Sequence, residues 1–151
     1  KRQKLGWVLF ILYLCFLAYF MFFSESFGRT DTDRGYQYNL VPFKEISRYF
    51  RYYSTIGPLL FLVNMIGNVA AFMPFGFFLP IISRRSKKWY NTLMLGFGFS
   101  LMLETLQLIF MVGSFDVDDM QLNTLGAALG YLAYRFVQWA RVSIRRRRLM
   151  K

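Results

Sequence analysis

Residues 58–82, "PLLFLVNMIGNVAAFMPFGFFLPII", form a long segment without a charged side chain. A helix that crosses the hydrocarbon core of a bilayer needs about 20 mostly apolar residues. Three further stretches have comparable length and apolar character, at residues 5–23, 91–112 and 120–139. We therefore expect an all-α integral membrane protein, a bundle of four transmembrane helices that forms a single domain over residues 1–151.

Basic residues form three clusters, which lie before the first span, between the second and third spans, and after the fourth span. They are Lys1, Arg2 and Lys4; Arg84, Arg85, Lys87 and Lys88; and Arg141, Arg145 to Arg148 and Lys151. Clusters of Lys and Arg in short loops remain in the cytoplasm. This predicts two cytoplasmic termini, a basic cytoplasmic tail at 140–151 and an outer loop at 24–57. The net charge of +11 is then explained by topology and anionic inner-leaflet lipids, and we expect no nucleic-acid partner.

The second half of the outer loop has the pattern of an amphipathic helix that begins at Pro42. Aromatic and apolar residues recur at three- and four-residue spacing, while basic residues recur on another face. The first set is Phe43, Ile46, Phe50 and Tyr53, and the second is Lys44, Arg48 and Arg51. Such a helix is typical of the headgroup plane. It is either an interfacial anchor or a lid and phosphate-facing wall above a membrane pocket.

Polar residues within the spans are costly and usually face the bundle interior or a water-filled cavity. In the predicted topology five of them fall in the outer half of the membrane, Asn64, Asn68, Glu104, Gln107 and Asn123, and the inner half has no comparable set. They either bond one another as a structural knot that fixes helix packing or line an outward-facing polar pocket.

Three carboxylates, Asp116, Asp118 and Asp119, immediately precede the fourth span. Asp118 or Asp119 could cap that helix, and all three could form the rim of the pocket. They could also hold Mg²⁺ or Ca²⁺, which prefer oxygen ligands.

Small residues indicate close helix packing. Gly126 and Gly130 form a G-x-x-x-G motif in the fourth span, and Gly96 and Gly98 could have the same role in the third.

The chain resembles the VanZ-like family of bacterial membrane proteins. The similarity covers most of residues 39–131 and rests on four motifs in series: "NLVPF" at 39–43, "NMIGNVAAFMPFGFFLP" at 64–80, "LETLQ" at 103–107 and "FDVDDMQLNTLGAALGY" at 115–131. The resemblance implies a multi-pass protein of the bacterial cell membrane that lowers susceptibility to teicoplanin and related lipoglycopeptides.

Family motif positions carry over to a set of residues in this chain. They are Asn39, Pro42, Phe43, Asn68, Pro74, Phe75, Gly76, Glu104, Gln107, Asp116, Asp119, Asn123 and Gly126. Relatives often have an arginine before the first aspartate, where this chain has Gly113 and Ser114. The resemblance therefore implies that Arg34, Arg48 or Arg51 supplies that charge.

Three functions fit these observations. The first is binding of membrane lipids or lipid-linked cell-wall precursors at the outer leaflet. Its ligand-binding groups would be Asn39, Asn64, Asn68, Gln107, Asp118, Asn123, Lys44, Arg48 and Arg51. The second is an enzyme that modifies a phospholipid or lipid-linked precursor, with Glu104, Asp116 and Asp119 as catalytic carboxylates. The third is transport, which a monomer of four helices without an internal repeat fits poorly. The chain has no histidine, which excludes histidine catalysis.

Overall fold

The computed structural model describes residues 2–26, 38–52 and 58–149. These residues form five α-helices: α1 (Arg2–Ser26), α2 (Lys44–Arg51), α3 (Pro58–Ile82), α4 (Trp89–Ile109) and α5 (Val117–Leu149). A 3-10 turn, Arg85–Lys87, joins α3 to α4. Two strands of two residues, β1 (Tyr38–Asn39) and β2 (Phe115–Asp116), pair in parallel. The prediction of an all-α architecture is confirmed.

Three helices are long and apolar enough to cross a membrane, through Lys4–Phe22, Met65–Ile82 and Trp89–Ile109. These are the first three predicted spans. The fourth, at 120–139, lies within α5, which does not meet the same criterion among the described residues. Its hydropathy is lowered by polar side chains such as Gln121, Asn123 and Arg135. These three helices indicate a membrane protein, and the count of four spans remains a prediction.

Helices α3 and α5 run parallel in backbone contact. A Cβ atom added at Gly126 would lie 2.2 Å from the carbonyl oxygen of Val69, and one added at Gly130 would lie 2.0 Å from that of Met73. A step of four residues along α5, from Gly126 to Gly130, thus corresponds to a step of four residues in the same direction along α3, from Val69 to Met73. The close approach predicted from the G-x-x-x-G motif is confirmed.

Helix α4 runs antiparallel to α5. The side-chain amide of Asn123 donates to Ser100 Oγ at 2.9 Å, and the backbone N–H of Asp116 donates to Glu104 Oε2 at 3.0 Å. An earlier residue of α5 thus meets a later residue of α4. This places the end of α4 beside the start of α5.

Helix α1 runs in the same direction as α4, so successive long helices alternate in direction. Gly6 lies against Ile82 at the end of α3, and Gln107 near the end of α4 donates to the backbone carbonyl of Met21 at 3.2 Å. Helix α1 therefore begins beside the end of α3 and reaches the end of α4.

The alternation separates charge between two ends of the bundle. One end, here named the acidic end, contains Glu104, Asp116, Asp118 and Asp119. The opposite end, named the basic end, contains Arg84, Arg85, Lys87 and Lys88.

Aromatic side chains connect the helices between these ends. Phe72 is fully buried, and the ring of Phe75 lies 5.5 Å from that of Phe10 and 5.7 Å from that of Phe99. These contacts join α1, α3 and α4 in one apolar core. Large apolar side chains on the outer surface of the bundle remain exposed, as expected where lipid is the solvent.

Two helix ends differ from the predicted spans. Helix α5 continues past Trp139 to Leu149, so most of the expected basic tail is helical. With 33 residues and a rise of about 1.5 Å per residue, α5 is about 50 Å long and exceeds the ~30 Å hydrocarbon core.

Helix α4 ends at Ile109, and not at the predicted Val112, because Met111 adopts a left-handed conformation with φ 52°. The N–H groups of Met111 and Val112 then bond the carbonyls of Leu108 and Gln107, which is a Schellman motif.

Candidate functional site at the acidic end

Asp116 joins the strand pair to the start of α5. Its Oδ1 accepts the N–H of Asp118 at 2.8 Å, which makes Asp116 the N-cap of α5. The same oxygen accepts Asn39 Nδ2 at 3.0 Å, and Asn39 Oδ1 accepts the N–H of Val41 at 3.2 Å. Asn39 and Asp116 also face each other in the strand register. The predicted ligand-binding residue Asn39 therefore connects the segment before α2 to the start of α5.

Asp118 caps a different helix from the one that contains it. The carboxylate is 1% exposed and accepts three backbone N–H groups at the start of α2. They belong to Phe43 at 2.5 Å, Glu45 at 2.8 Å and Ile46 at 3.2 Å. We expected Asp118 or Asp119 to cap the fourth span, and this was wrong because Asp116 already occupies that position. Asp118 instead satisfies the free N–H groups of α2 and complements its dipole.

The chain turns sharply into α2 at Phe43. This residue is the N-cap of α2, has φ 63° and makes no cap with its own side chain. A bulky residue rarely adopts this left-handed conformation. The sequence predicted Pro42 in the first turn of the helix. In the structure Pro42 lies in the turn before the helix, which begins at Lys44. Asp118 therefore replaces a capping function that Phe43 cannot perform.

Asp119 is bonded to α3. Its Oδ1 accepts Asn68 Nδ2 at 2.7 Å. Asn68, a polar residue of the second predicted span, thus contacts one of the three predicted rim carboxylates. Asn64 lies one turn earlier in α3, and its side chain falls outside the described part of the chain.

Glu104, Gln107 and Asn123 are each at most 1% exposed. The side-chain NH₂ group of Gln107 donates to the Met21 carbonyl, and that of Asn123 donates to Ser100 Oγ. Gln107 and Asn123 therefore do not bond each other, contrary to the hypothesis of a structural knot. Among the described residues no group donates to Gln107 Oε1 or Asn123 Oδ1, although both atoms are buried.

The three predicted rim carboxylates do not converge on one point, because each has a separate partner. In the described ranges no three acidic, histidine or cysteine side chains are grouped to hold a metal ion. A site for Mg²⁺ or Ca²⁺ built from Asp116, Asp118 and Asp119 therefore has no support in this geometry.

Arg48 is a described cation whose charge reaches Asp116. The pKa of the Asp116 carboxyl is raised, chiefly by burial and also by the negative charge of Asp118. Hydrogen bonds from the Asp118 N–H and from Asn39, and the positive charge of Arg48, lower this pKa. Arg48 is also 2.5 Å from Glu45 in an ion pair. Of the arginines expected to act near the first aspartate, Arg51 is exposed and Arg34 lies outside the described residues.

Helix α2 packs on α5 through a face that differs from the predicted aromatic face. Glu45, Ile46 and Tyr49 are half-buried, whereas Phe43 and Phe50 are each 63% exposed. Burial raises the pKa of Tyr49, and the negative charge of Asp119 raises it further, which places Tyr49 near that carboxylate. Tyr53, the last residue of the predicted face, falls outside the described residues.

The sequence reasoning missed Ser100 and Tyr49. Ser100 lies four residues before Glu104 and seven before Gln107, so it shares their face of α4. That spacing could have identified Ser100. The position of Tyr49 follows from the Asp118 cap, for which the sequence carries no local signal.

The geometry described above can be compared with known proteins. The family model described as VanZ/LLP1 matches residues 10–138. No curated protein and no solved structure matches the chain. Because the family model covers most of the chain, with α2, α3 and α4 in full and most of α1 and α5, the chain belongs to the VanZ/LLP1 family of membrane proteins linked to glycopeptide resistance.

Proposed function

We propose that the acidic end binds a lipid or lipid-linked cell-envelope component at the outer leaflet, and that this limits the access of lipoglycopeptides such as teicoplanin. In this proposal α1, α3, α4 and α5 cross the bacterial membrane and both termini are cytoplasmic. The alternating helix directions support this, because they collect the basic clusters at one end, as the positive-inside rule requires.

The contact between α3 and α5 supports α5 as the fourth span. Gly126 and Gly130 lie against the α3 backbone at Val69 and Met73, so α5 covers the same depth as an apolar candidate span. Its lower hydropathy follows from polar side chains that the bundle buries, above all Asn123. A protein-facing polar residue does not require contact with lipid.

The observation that carries the proposal is the fixation of α2 by Asp118. Three hydrogen bonds hold the start of α2 at the acidic end. The opposite surface of α2 then exposes Phe43 and Phe50 together with Lys44 and Arg51. Cations beside aromatic side chains suit an anionic headgroup and the adjoining acyl chains. We therefore expect a phosphate-bearing headgroup to lie against α2.

A charge-neutralised double variant tests this. Lys44→Gln with Arg51→Gln removes two exposed cations without touching the Asp118 cap. Because each basic residue near an anionic surface contributes about 1 kcal/mol, we expect roughly 30-fold weaker binding of an anionic phospholipid by the detergent-purified protein. Protection from teicoplanin should fall in parallel.

The matched control makes the same charge change at the other end, with Arg84→Gln and Lys87→Gln. We expect its teicoplanin protection to stay at the wild-type level in cells with equal amounts of protein in the membrane. Equal loss of protection in the two double variants would refute a site on α2.

An enzyme is the second candidate, favoured by one observation. Asp116 is buried and has a raised pKa, and its backbone N–H donates to the buried Glu104 carboxylate. Carboxyl groups with perturbed pKa values are common at catalytic sites. Lipid mass spectrometry of membranes that carry wild type or Glu104→Gln tests it. An enzyme predicts a changed envelope lipid, whereas identical lipid profiles with altered binding leave the binding function.

A further inference from the structure

The three cations of α2 form one row on the surface that faces away from the bundle. Lys44, Arg48 and Arg51 are spaced four and three residues apart, so they lie within about 60° of one another around the helix axis. All three are exposed, whereas Ile46 and Tyr49 on the opposite side of the helix are half-buried. We name these three residues the cationic row.

Most of the positive charge of the row has no counter-ion in the described part of the chain. Arg48 Nη2 lies 2.5 Å from Glu45 Oε2, but Lys44 and Arg51 make no ion pair with a described residue. The nearby carboxylate of Asp118 is buried and bonded to backbone N–H groups. Like charges three or four residues apart on a helix repel each other. An anion that contacts the whole row would relieve this repulsion.

The row is longer than a single phosphate can contact. Lys44 and Arg51 are seven residues apart, which is about 10.5 Å along the helix axis. A phosphate between Lys44 and Arg48 leaves Arg51 without an anion, and a phosphate between Arg48 and Arg51 leaves Lys44 without one. Two linked phosphates can occupy both positions. The Arg48 guanidinium has several N–H donors in a planar fork, so it can bond both phosphates and keep its contact with Glu45.

Aromatic side chains beside the row favour an anion that is attached to a lipid. Phe43 precedes the row, and Phe50 lies on its flank, about 100° from Arg51 around the helix axis. Both rings are 63% exposed. An apolar chain that continues from the phosphate can cover these rings at the headgroup level, which a free anion cannot do.

We propose that the cationic row binds the pyrophosphate group of a lipid pyrophosphate. One phosphate lies between Lys44 and Arg48, and the other lies between Arg48 and Arg51. This inference rests on the proposed function, because it names the headgroup class that α2 receives. The three hydrogen bonds to Asp118 hold the start of α2 in place before the ligand arrives, which lowers the entropic cost of binding.

A pair of lipids with the same apolar chain tests the headgroup class. The detergent-purified full chain is titrated with geranylgeranyl pyrophosphate and with geranylgeranyl monophosphate, at constant ionic strength in buffer without divalent metal ions. Since one further charge-assisted contact strengthens binding by a factor of about ten, we expect a correspondingly lower Kd for the pyrophosphate. Inorganic pyrophosphate should compete about tenfold less well than the lipid, because it has no chain to cover the aromatic rings.

Arg48 should control the preference, because both phosphates share this cation. We expect the two Kd values of Arg48→Gln to lie within about twofold of each other. Arg48→Lys keeps the charge without the planar fork, so its preference should lie between those of wild type and Arg48→Gln. This second variant keeps the test decisive if Arg48→Gln does not fold. The matched control, Arg84→Gln with Lys87→Gln at the basic end, should keep the wild-type preference.

The outcomes separate this inference from the proposed function. Equal Kd values for the two lipids in wild type, or an unchanged preference in Arg48→Gln, would overturn the pyrophosphate assignment while a phosphate-binding surface on α2 stands. Inorganic pyrophosphate that competes as well as the lipid would overturn the assignment to a lipid. If wild type binds neither lipid, or if Lys44→Gln with Arg51→Gln binds both as wild type does, the proposed function fails together with the inference.

Discussion

Asp118 accepts the backbone N–H of Phe43, although the two residues are 75 positions apart in the chain. The bond joins the start of α5 to the start of α2. It explains how a left-handed phenylalanine, with no capping side chain of its own, can begin a helix: a buried carboxylate from another helix satisfies the free N–H groups. The position of α2 thus depends on one side chain that lies 75 residues after Phe43 in the chain.

Replacing Asp118 should release α2. A hydrogen bond to a charged group contributes about 1.5–3 kcal/mol, so we expect Asp118→Ala, which removes three such bonds, to destabilise the α2 contact by at least about 3 kcal/mol. Hydrogen–deuterium exchange in detergent should show faster exchange at residues 44–51, while the amides of α3 and α4 keep wild-type protection. Glu45→Gln removes only the ion pair with Arg48 and should leave α2 protected. Unchanged α2 exchange in Asp118→Ala would contradict the assigned cap.

Phe43→Gly should separate stability from function. Glycine adopts positive φ without the penalty of about 1–2 kcal/mol that other residues incur, and the exposed Phe43 ring contributes little packing. We expect slower amide exchange in α2 but weaker lipid binding, since an aromatic side chain is lost. Phe43→Val cannot adopt φ 63° readily and should accelerate exchange. Equal exchange in both variants would argue against a strained Phe43.

The sequence predicted the helical class, the bounds of α3 and the close approach of Gly126, because apolar length and small-residue spacing are local signals. It also predicted that Asp116 and Asp119 lie near the polar residues of α3 and α4, since topology and helical depth brought them to the same end.

The partner of each carboxylate could not be predicted. Asp118 and Asp119 are adjacent in the chain, yet one caps α2 and the other bonds Asn68. Adjacent helical positions point about 100° apart, so the choice depends on which helix packs on each side. The strand pair between Asn39 and Asp116 is likewise a long-range contact of two residues, too short to leave a pattern.

Glycine substitutions should distinguish a closely packed position from an open one. A Cβ at Gly76 would lie 1.9 Å from the Ala127 carbonyl oxygen, whereas one at Gly98 has nothing within 4 Å. Gly76→Ala forces α3 and α5 apart, and overpacking of this kind costs about 1–3 kcal/mol or more. Gly98→Ala should stabilise α4 by about 0.8–1 kcal/mol through helix propensity. Thermal unfolding in detergent should show opposite shifts of Tm, and a loss of stability in Gly98→Ala would contradict the open surface at that position.

Asp116 should make stability depend on pH. Its pKa in the folded protein is raised above the ordinary value of 3.8, first because of burial. The folded state therefore binds the proton more tightly than the unfolded state, so this contribution is present in full below about pH 3.8 and is lost as pH rises through the raised pKa. Asp116→Asn keeps an uncharged cap of the same shape and should lack this loss. The Tm of wild type should thus fall relative to that of Asp116→Asn as pH rises through this window.

Arg48 provides the internal check on this pH dependence. Its positive charge lowers the pKa of Asp116, against the charge of the neighbouring Asp118, which raises it. Arg48→Gln should therefore raise the Asp116 pKa and shift the loss of Tm toward higher pH. Infrared detection of the protonated carboxyl band, with Asp116→Asn to assign it, measures the same shift directly. If the band titrates at the same pH in Arg48→Gln and in wild type, the Arg48 charge does not act on Asp116.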